Sequence, residues 1–398
     1  MKKALAVILA SCVGLAVAQQ AAPLKIGVVV SATGPGASLG IPERNTLLLL
    51  EEQVNRKGGI AGRPVQLVVI DDASDTTQAV RAARKLIQED QVLAVIGTTT
   101  TPATLGMIDP LAEAGVPNLS LAANLEIVSP VDAKKRWIFK TPQTEEQMSQ
   151  PIVRDMVAQG VKTAAYIGFN DAYGEGWARA FEAAAKSAGI TVVASERFAR
   201  TDTSVTGQIL RILSRNPDAV LIGGSGTAPV LPQRTLRERS YKGTIYQTHG
   251  VANPDFLRVG GADVVGTRLP AGPILVFDQL PASFPNRTVA RNYVQQYESK
   301  FGIGSYSTFG GHAYDAWVIL QAALERALKK ENTSNLAAFR RTLRDEIEAT
   351  RGVVGTHGIF NMSATDHLGL RFQEAAVMVE VVRNENGRLT WKLVRTFQ

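Results

Sequence analysis

Short apolar runs rich in β-branched residues alternate with longer stretches whose apolar positions recur at helical spacing. Residues 25–30 form the first run and open into Ser31-Ala32-Thr33-Gly34-Pro35-Gly36, a strand entering a loop. Residues 43–56 carry a helical pattern that stops at Lys57-Gly58-Gly59. Strands follow at 65–70, closed by Asp71-Asp72, and at 92–96, with helices at 76–89 and 104–114 and a short strand at 117–121. This alternation predicts a parallel sheet with helices on both faces.

The rhythm restarts after Lys140. Helical periods at 147–158, 176–188 and 228–239 interleave with strands at 163–168, 192–195, 219–222 and 244–247, and residues 205–213 continue the series. Residues 270–277 lack helical period and read as a segment crossing between two bodies. Three helices, at 288–300, 311–329 and 335–349, precede a terminal hairpin whose arms at 375–382 and 389–394 flank an Asn/Gly-rich turn. The fold class is therefore α/β, in two lobes. A mature chain of about 380 residues also exceeds what one core usually supports.

The first residues change the picture of where the protein works. Lys2 and Lys3 form a basic head, an apolar run follows, and Ala16-Val17-Ala18 offers the small residues that a signal peptidase reads. Residues 1–18 are expected to be a secretory signal, placing the mature chain in the periplasm or otherwise outside the cytoplasm. Leu9-Ala10-Ser11-Cys12 also resembles a lipoprotein cleavage box, but cleavage there would leave the apolar residues 13–18 on the mature chain. Cys12 is the single cysteine, so removal of the signal excludes disulfides and thiol chemistry. The formal charge of +7 is spread along the chain, which argues against nucleic acid as a partner.

Candidate chemistry gathers where strands end. The strand at 92–96 runs into Gly97-Thr98-Thr99-Thr100-Thr101-Pro102 and then a helix. Hydroxyls beside a helix N-terminus suit a carboxylate, because the first helical N–H groups lack partners and carry partial positive charge. Capping by Thr101, with Pro102 at the first helical position, would account for one or two of these threonines and leave the others unexplained. The next strand exits through Ser120-Leu121-Ala122-Ala123-Asn124, where small residues allow close backbone approach. In the second half, Tyr173 in Asn170-Asp171-Ala172-Tyr173-Gly174-Glu175-Gly176, Ser225 in Gly223-Gly224-Ser225-Gly226, and His249 all follow strands. Open α/β sheets bind ligands along that edge.

Other chemistries find less support. Gly223-Gly224-Ser225-Gly226 lacks the lysine and spacing of a phosphate loop. The four histidines, His249, His312, His357 and His367, do not pair at metal-ligand spacing, so neither a metal nor a cofactor is expected. The chain has no Gly-x-Ser-x-Gly nucleophile elbow, and an enzyme is not expected.

Five motifs in order carry a family resemblance: Ala32-Thr33-Gly34-Pro35; Lys57-Gly58-Gly59-Ile60-Ala61-Gly62-Arg63-Pro64; Asp71-Asp72 with Gln78-Ala79-Val80; Ala114-Gly115-Val116-Pro117; and Tyr173-Gly174-Glu175-Gly176. The chain resembles the branched-chain amino acid-binding proteins of ABC importers, which are periplasmic binding proteins of type I. The resemblance implies two Rossmann-like lobes joined by three crossing strands, with a ligand held between them. Carried over, lobe 1 is 24–140 plus 271–352, lobe 2 is 141–270 plus 353–398, and the third crossing falls near 353–360. It further implies a monomer that delivers a small carboxylate to a membrane permease. Thr99, Thr100 and Thr101 would hold the carboxylate, Ala122 would offer backbone, Asn124 would replace a hydroxyl, and Tyr173, Ser225 and His249 would complete the set.

Two departures from the family pattern bear on the ligand. Leu39 stands where the family has a large aromatic, and His249 where it has the acid that pairs with an α-ammonium. A buried ammonium without its counter-charge costs about 3–5 kcal/mol. A ligand without one, such as an aromatic, aliphatic or 2-oxo acid, escapes that cost. The same fold also serves as the ligand-sensing subunit of signalling systems, which stands as the alternative reading.

Overall fold

The computed structural model describes residues 22–397; the expected secretory signal, residues 1–18 with Cys12, lies outside the described residues. The N-terminal half alternates β1 (Leu24–Val30), α1 (Ala37–Arg56), β2 (Val65–Asp71), α2 (Thr76–Gln88), β3 (Val95–Gly97), α3 (Thr101–Glu113), β4 (Asn118–Ser120) and β5 (Ile138–Lys140). Its sheet has the order β2-β1-β3-β4-β5, parallel throughout. Helix α1 starts six residues earlier than its apolar period suggests, because a 3-10 turn at Gly34–Gly36 feeds straight into it and the helix accommodates Pro42.

The second series comprises α4 (Glu145–Ala158), β6 (Thr163–Phe169), α5 (Ala172–Ser187), β7 (Thr191–Phe198), α6 (Thr206–Leu213), β8 (Ala219–Gly223), α7 (Val230–Glu238), β9 (Thr244–Gln247), α8 (Pro254–Gly260) and β10 (Arg268–Ala271). Three helices follow, α9 (Arg287–Phe301), α10 (Thr308–Ala327) and α11 (Leu336–Glu348). The chain closes with β11 (Val353–Val354), β12 (Ile359–Phe360), α12 (Phe372–Ala375), β13 (Val377–Arg383) and β14 (Leu389–Thr396). The second sheet has the order β14-β13-β10-β9-β8-β6-β7. Its β13–β14 hairpin pairs antiparallel to β10, and the remaining strands are parallel.

Each sheet owns a core. Val28, Ile96 and Leu119 of the first sheet pack with Leu47 of α1, Ala316 and Leu320 of α10 and Leu343 of α11. Tyr166, Leu221 and Tyr246 of the second pack with Ile152 of α4 and Trp177 and Phe181 of α5. Aliphatic side chains on both faces of a parallel strand explain the continuous apolar runs in the sequence.

The second and third passages between the lobes lie further along the chain than the family pattern places them. Leu275, Val276, Leu280 and Phe284, assigned by resemblance to lobe 1, pack against Leu269, Val377 and Trp391 of the second sheet. Phe360, Met362, Leu368 and Leu370, assigned to lobe 2, belong to the first core. The final passage falls at Ala375–Ala376, where one alanine joins the first core and the next joins the second. Residues 360–370 pack in the same core as Ala316 and Leu320 of α10 and Leu343 of α11, which places them with the first lobe.

Candidate functional site

The C-terminal edges of the two sheets face each other across a narrow cavity of only about 30 Å³. The lobes touch at its rim. A Cβ on Gly226 of the second lobe would come within 3.2–3.3 Å of Ser38 Oγ and Leu39 Cδ1 of the first. Gly226 also sits at φ +71°, where a side chain would be strained.

Thr99, Thr100 and Thr101 line the first-lobe wall, each in a different role. Thr99's hydroxyl is committed: it donates to Glu43 Oε2 at 2.5 Å and accepts from the Ser31 amide at 2.9 Å. Ser31 Oγ in turn donates to Asp72 at 2.7 Å, and Thr98 donates to the other Asp72 oxygen. Complete burial holds the Glu43 carboxyl well above the usual carboxylate range, opposed by the Thr99 bond and aided by Asp72. Thr100 is the N-cap of α3, yet its side chain makes no capping bond. Thr101 follows at the first helical position with its Oγ1 buried and without a hydrogen-bond partner. Capping thus explains neither hydroxyl. The amides of Thr100, Thr101 and Ala103 also find no partner among the described residues, as expected at a helix start.

The second-lobe wall brings Tyr173, Ser225, His249 and Arg200 together. Tyr173 follows Asp171, whose carboxylate caps α5 through the Tyr173 and Gly174 amides. Its phenol bonds Thr248 Oγ1 at 2.9 Å, and burial raises its pKa. The His249 imidazole packs 5.6 Å from Trp177, and its Nδ1 has no partner. Burial, with Lys140 and His357 adding to it, pushes its pKa down to about 3, so the ring is neutral. Arg200 is the arginine of this wall: Nε donates to Asp171 at 2.6 Å and Nη1 to Ser225 Oγ at 3.0 Å.

At the floor, Pro142 of the first passage meets Phe309 and His312 of α10. Burial first, and the neighbouring His357, His249 and Lys140 next, hold His312 well below its ordinary pKa. His312, Asp315 and His357 place donor atoms within 4.8 Å of one another, a proximity that their sequence spacing hides. The trio does not fit a metal. The two imidazoles stack at 3.6 Å with planes 12° apart, so their in-plane lone pairs run side by side instead of converging. His357 Nδ1 is moreover taken by Asp315 at 2.8 Å.

Six of the eight residues singled out in the sequence therefore line one cavity. Ala122 and Asn124 do not. Ala122's methyl packs in a core with Val29 and Ala103 beneath the strand ends. Asn124 caps the turn Leu125–Ile127, accepting from Glu126 N at 2.7 Å, and its Nδ2 donates to Ala172 O across the lobes at 3.0 Å. Both side chains are used by the fold. Sequence reading missed Arg200 and His312. Arg200 stands two residues beyond β7, and the strand-exit rule would have found it had that strand been read to its full length. His312 lies inside α10, where no exit signal exists.

Residues 23–386 match a protein family described as periplasmic binding protein. The chain belongs to this family. The binding protein is 27% identical to the Leu/Ile/Val-binding protein BraC3 of Rhizobium johnstonii over 79% of this chain and 83% of that one. Among solved structures it is similar to an extracellular ligand-binding receptor from Rhodopseudomonas palustris HaA2, with 37% identity, TM-score 0.86, and 93% and 99% of the two chains covered. A solute-binding protein of an ABC transporter from Rhodopseudomonas palustris BisB5, solved with 3,4-dihydroxybenzoic acid, shares the fold at 20% identity and TM-score 0.77, covering 95% and 97%. The chain is thus a periplasmic binding protein, of a family of binders and not of enzymes. Among the described residues no helix is long and apolar enough to cross a membrane.

Proposed function

We propose that this chain is the exported solute-binding component of an ABC importer, closing its two lobes on a small carboxylic acid without an α-ammonium and passing it to a membrane permease. One observation carries the ligand class. The cavity is lined by three threonines, Arg200, His249 and His312, and by no aspartate or glutamate. An anion entering there meets unpaired donors at the start of α3, whereas an ammonium would find no carboxylate on the lining to pair with. The Rhizobium relative is a binder of leucine, isoleucine and valine, and the BisB5 protein was solved with an aromatic acid; the cavity of this chain favours the second kind of ligand. Thr100, Thr101, Tyr173, Ser225 and His249 are the proposed contacts, Thr99 acts by holding the loop, and hinge closure is the proposed motion.

A thermal-shift screen over amino acids, 2-oxo acids and aromatic acids tests this. A ligand seen only by the folded cleft adds about 2.7 kcal/mol of stability at a hundredfold excess over Kd. Acids without an ammonium should raise the melting temperature and leucine should not; stabilisation by leucine alone would reject the ligand class.

A further inference from the structure

Arg200 gives the cavity a second polar end. Its guanidinium lies 4.1 Å over the Phe169 ring, is paired with Asp171 through Nε, and donates to Ser225 through Nη1. A planar cation fixed by stacking and by two hydrogen bonds is preorganised, so a ligand using it costs little reordering. Nη2 has no hydrogen bond among the described residues, and Ser225 Oγ, already accepting from Arg200, keeps its own hydrogen to donate. His249 Nδ1, also without a partner, stands on the same wall.

The opposite wall holds the other end. There Thr101 Oγ1 is buried and unpartnered at the start of a 13-residue helix whose first amides are free. The same lining includes the apolar Leu39, Leu121, Pro142 and Phe309. The ends differ in charge. The α3 end carries uncompensated partial positive charge and suits a carboxylate. The Arg200 end is neutralised by Asp171 and offers donors without net charge, which suits an uncharged oxygen.

We infer that Arg200 and Ser225 form a specificity pole for a neutral hydroxyl or carbonyl oxygen, so that the protein selects acids bearing such an oxygen at the end opposite the carboxylate. This rests on the carboxylate-binding reading above and narrows it. A methyl in place of that oxygen leaves the Arg200 and Ser225 donors desolvated and unpaired in a closed cleft. Losing a hydrogen bond to a charged donor changes affinity by about tenfold to a hundredfold.

The test is calorimetry of the wild type, Arg200→Gln and Ser225→Ala against two isosteric pairs, 4-hydroxybenzoate with 4-methylbenzoate and 6-hydroxyhexanoate with heptanoate. The wild type should prefer the hydroxyl member of at least one pair by about tenfold or more. Arg200→Gln should bring that ratio near one mainly by weakening the hydroxyl acid, leaving the methyl acid within about threefold. Ser225→Ala leaves the Arg200–Asp171 pair in place and gives the same readout should Arg200→Gln fail to fold. A wild type that binds methyl and hydroxyl members equally, or variants that keep the wild-type ratio, would refute the pole while leaving carboxylate binding intact. A wild type that binds none of the four acids would instead remove the carboxylate reading and this inference with it.

Discussion

Thr101→Val separates what the threonine loop does for the fold from what it does for the ligand. Valine keeps the β-branched shape at the first position of α3 and deletes one hydroxyl. That hydroxyl is buried and makes no bond in the protein, so removing it breaks nothing. A buried unpaired hydroxyl costs about 1–3 kcal/mol, and opening of the cleft to water relieves part of it. Unliganded stability of Thr101→Val should therefore stay level or rise by up to about 1 kcal/mol. Ligand affinity should move the other way. Loss of a hydrogen bond to a carboxylate is worth about 1.5–3 kcal/mol, a fall of about tenfold to a hundredfold. Thr99→Val provides the control of opposite sign: it strips the Ser31 amide of its acceptor and Glu43 of its donor, and should destabilise the protein by about 1–3 kcal/mol. Urea unfolding of the three proteins, with calorimetry on the acid that stabilises best, gives both quantities. A Thr101→Val protein that loses more than about 1 kcal/mol, or binds as the parent does, would refute the assignment of a free, ligand-facing hydroxyl.

His249→Glu restores an acid to the second-lobe wall and should weaken carboxylic acids while allowing leucine to bind; calorimetry against leucine and its 2-oxo acid reads the exchange, and tighter leucine binding by the parent would overturn it. His249 also predicts a pH dependence. Its folded pKa is depressed to about 3, below the unfolded value of 6.5, so its contribution to stability is present above pH 6.5 and is lost as pH falls toward 3. Between pH 6 and 4, His249→Gln should flatten the slope of unfolding free energy against pH by up to about 1.4 kcal/mol per pH unit, measured by urea melts. Arg268 pairs with Asp155 at 2.9 Å, and Asp155 is buried and also accepts from Tyr246 Oη at 2.8 Å. Arg268→Gln should cost about 3 kcal/mol of stability without changing ligand affinity, because it lies on the second sheet away from the cavity.

The sequence was most legible where local chemistry and topology agree. Parallel strands buried on both faces announce themselves as apolar runs, and each exit loop then falls on one shared edge; that rule, with the family resemblance beside it, points to Thr99, Tyr173, Ser225 and His249. Which hydroxyl is free was not legible. Thr99 and Thr101 look equivalent in a run of four threonines, and only Glu43 and Ser31, distant in sequence, decide that Thr99 is occupied. Ala122 and Asn124 sit at a strand exit too, but the turn at Leu125–Ile127 draws the asparagine into capping. His312 and His357 lie 45 positions apart and meet only because the turn between β11 and β12 packs against α10. The resemblance placed the third passage too early, since β11–β12 is too short to reveal in sequence which core its side chains join.

The passages through the chain have a consequence for its birth. The first core needs Ala316, Leu343 and Phe360, and the second needs Val377 to Trp391, so neither lobe can be completed from the N-terminal 270 residues. A chain emerging from the ribosome holds two half-built cores almost to its last turn of synthesis. Contacts this distant along the chain make folding slow. A polypeptide that stays loose this long sets its second lobe only when the β13–β14 hairpin joins β10.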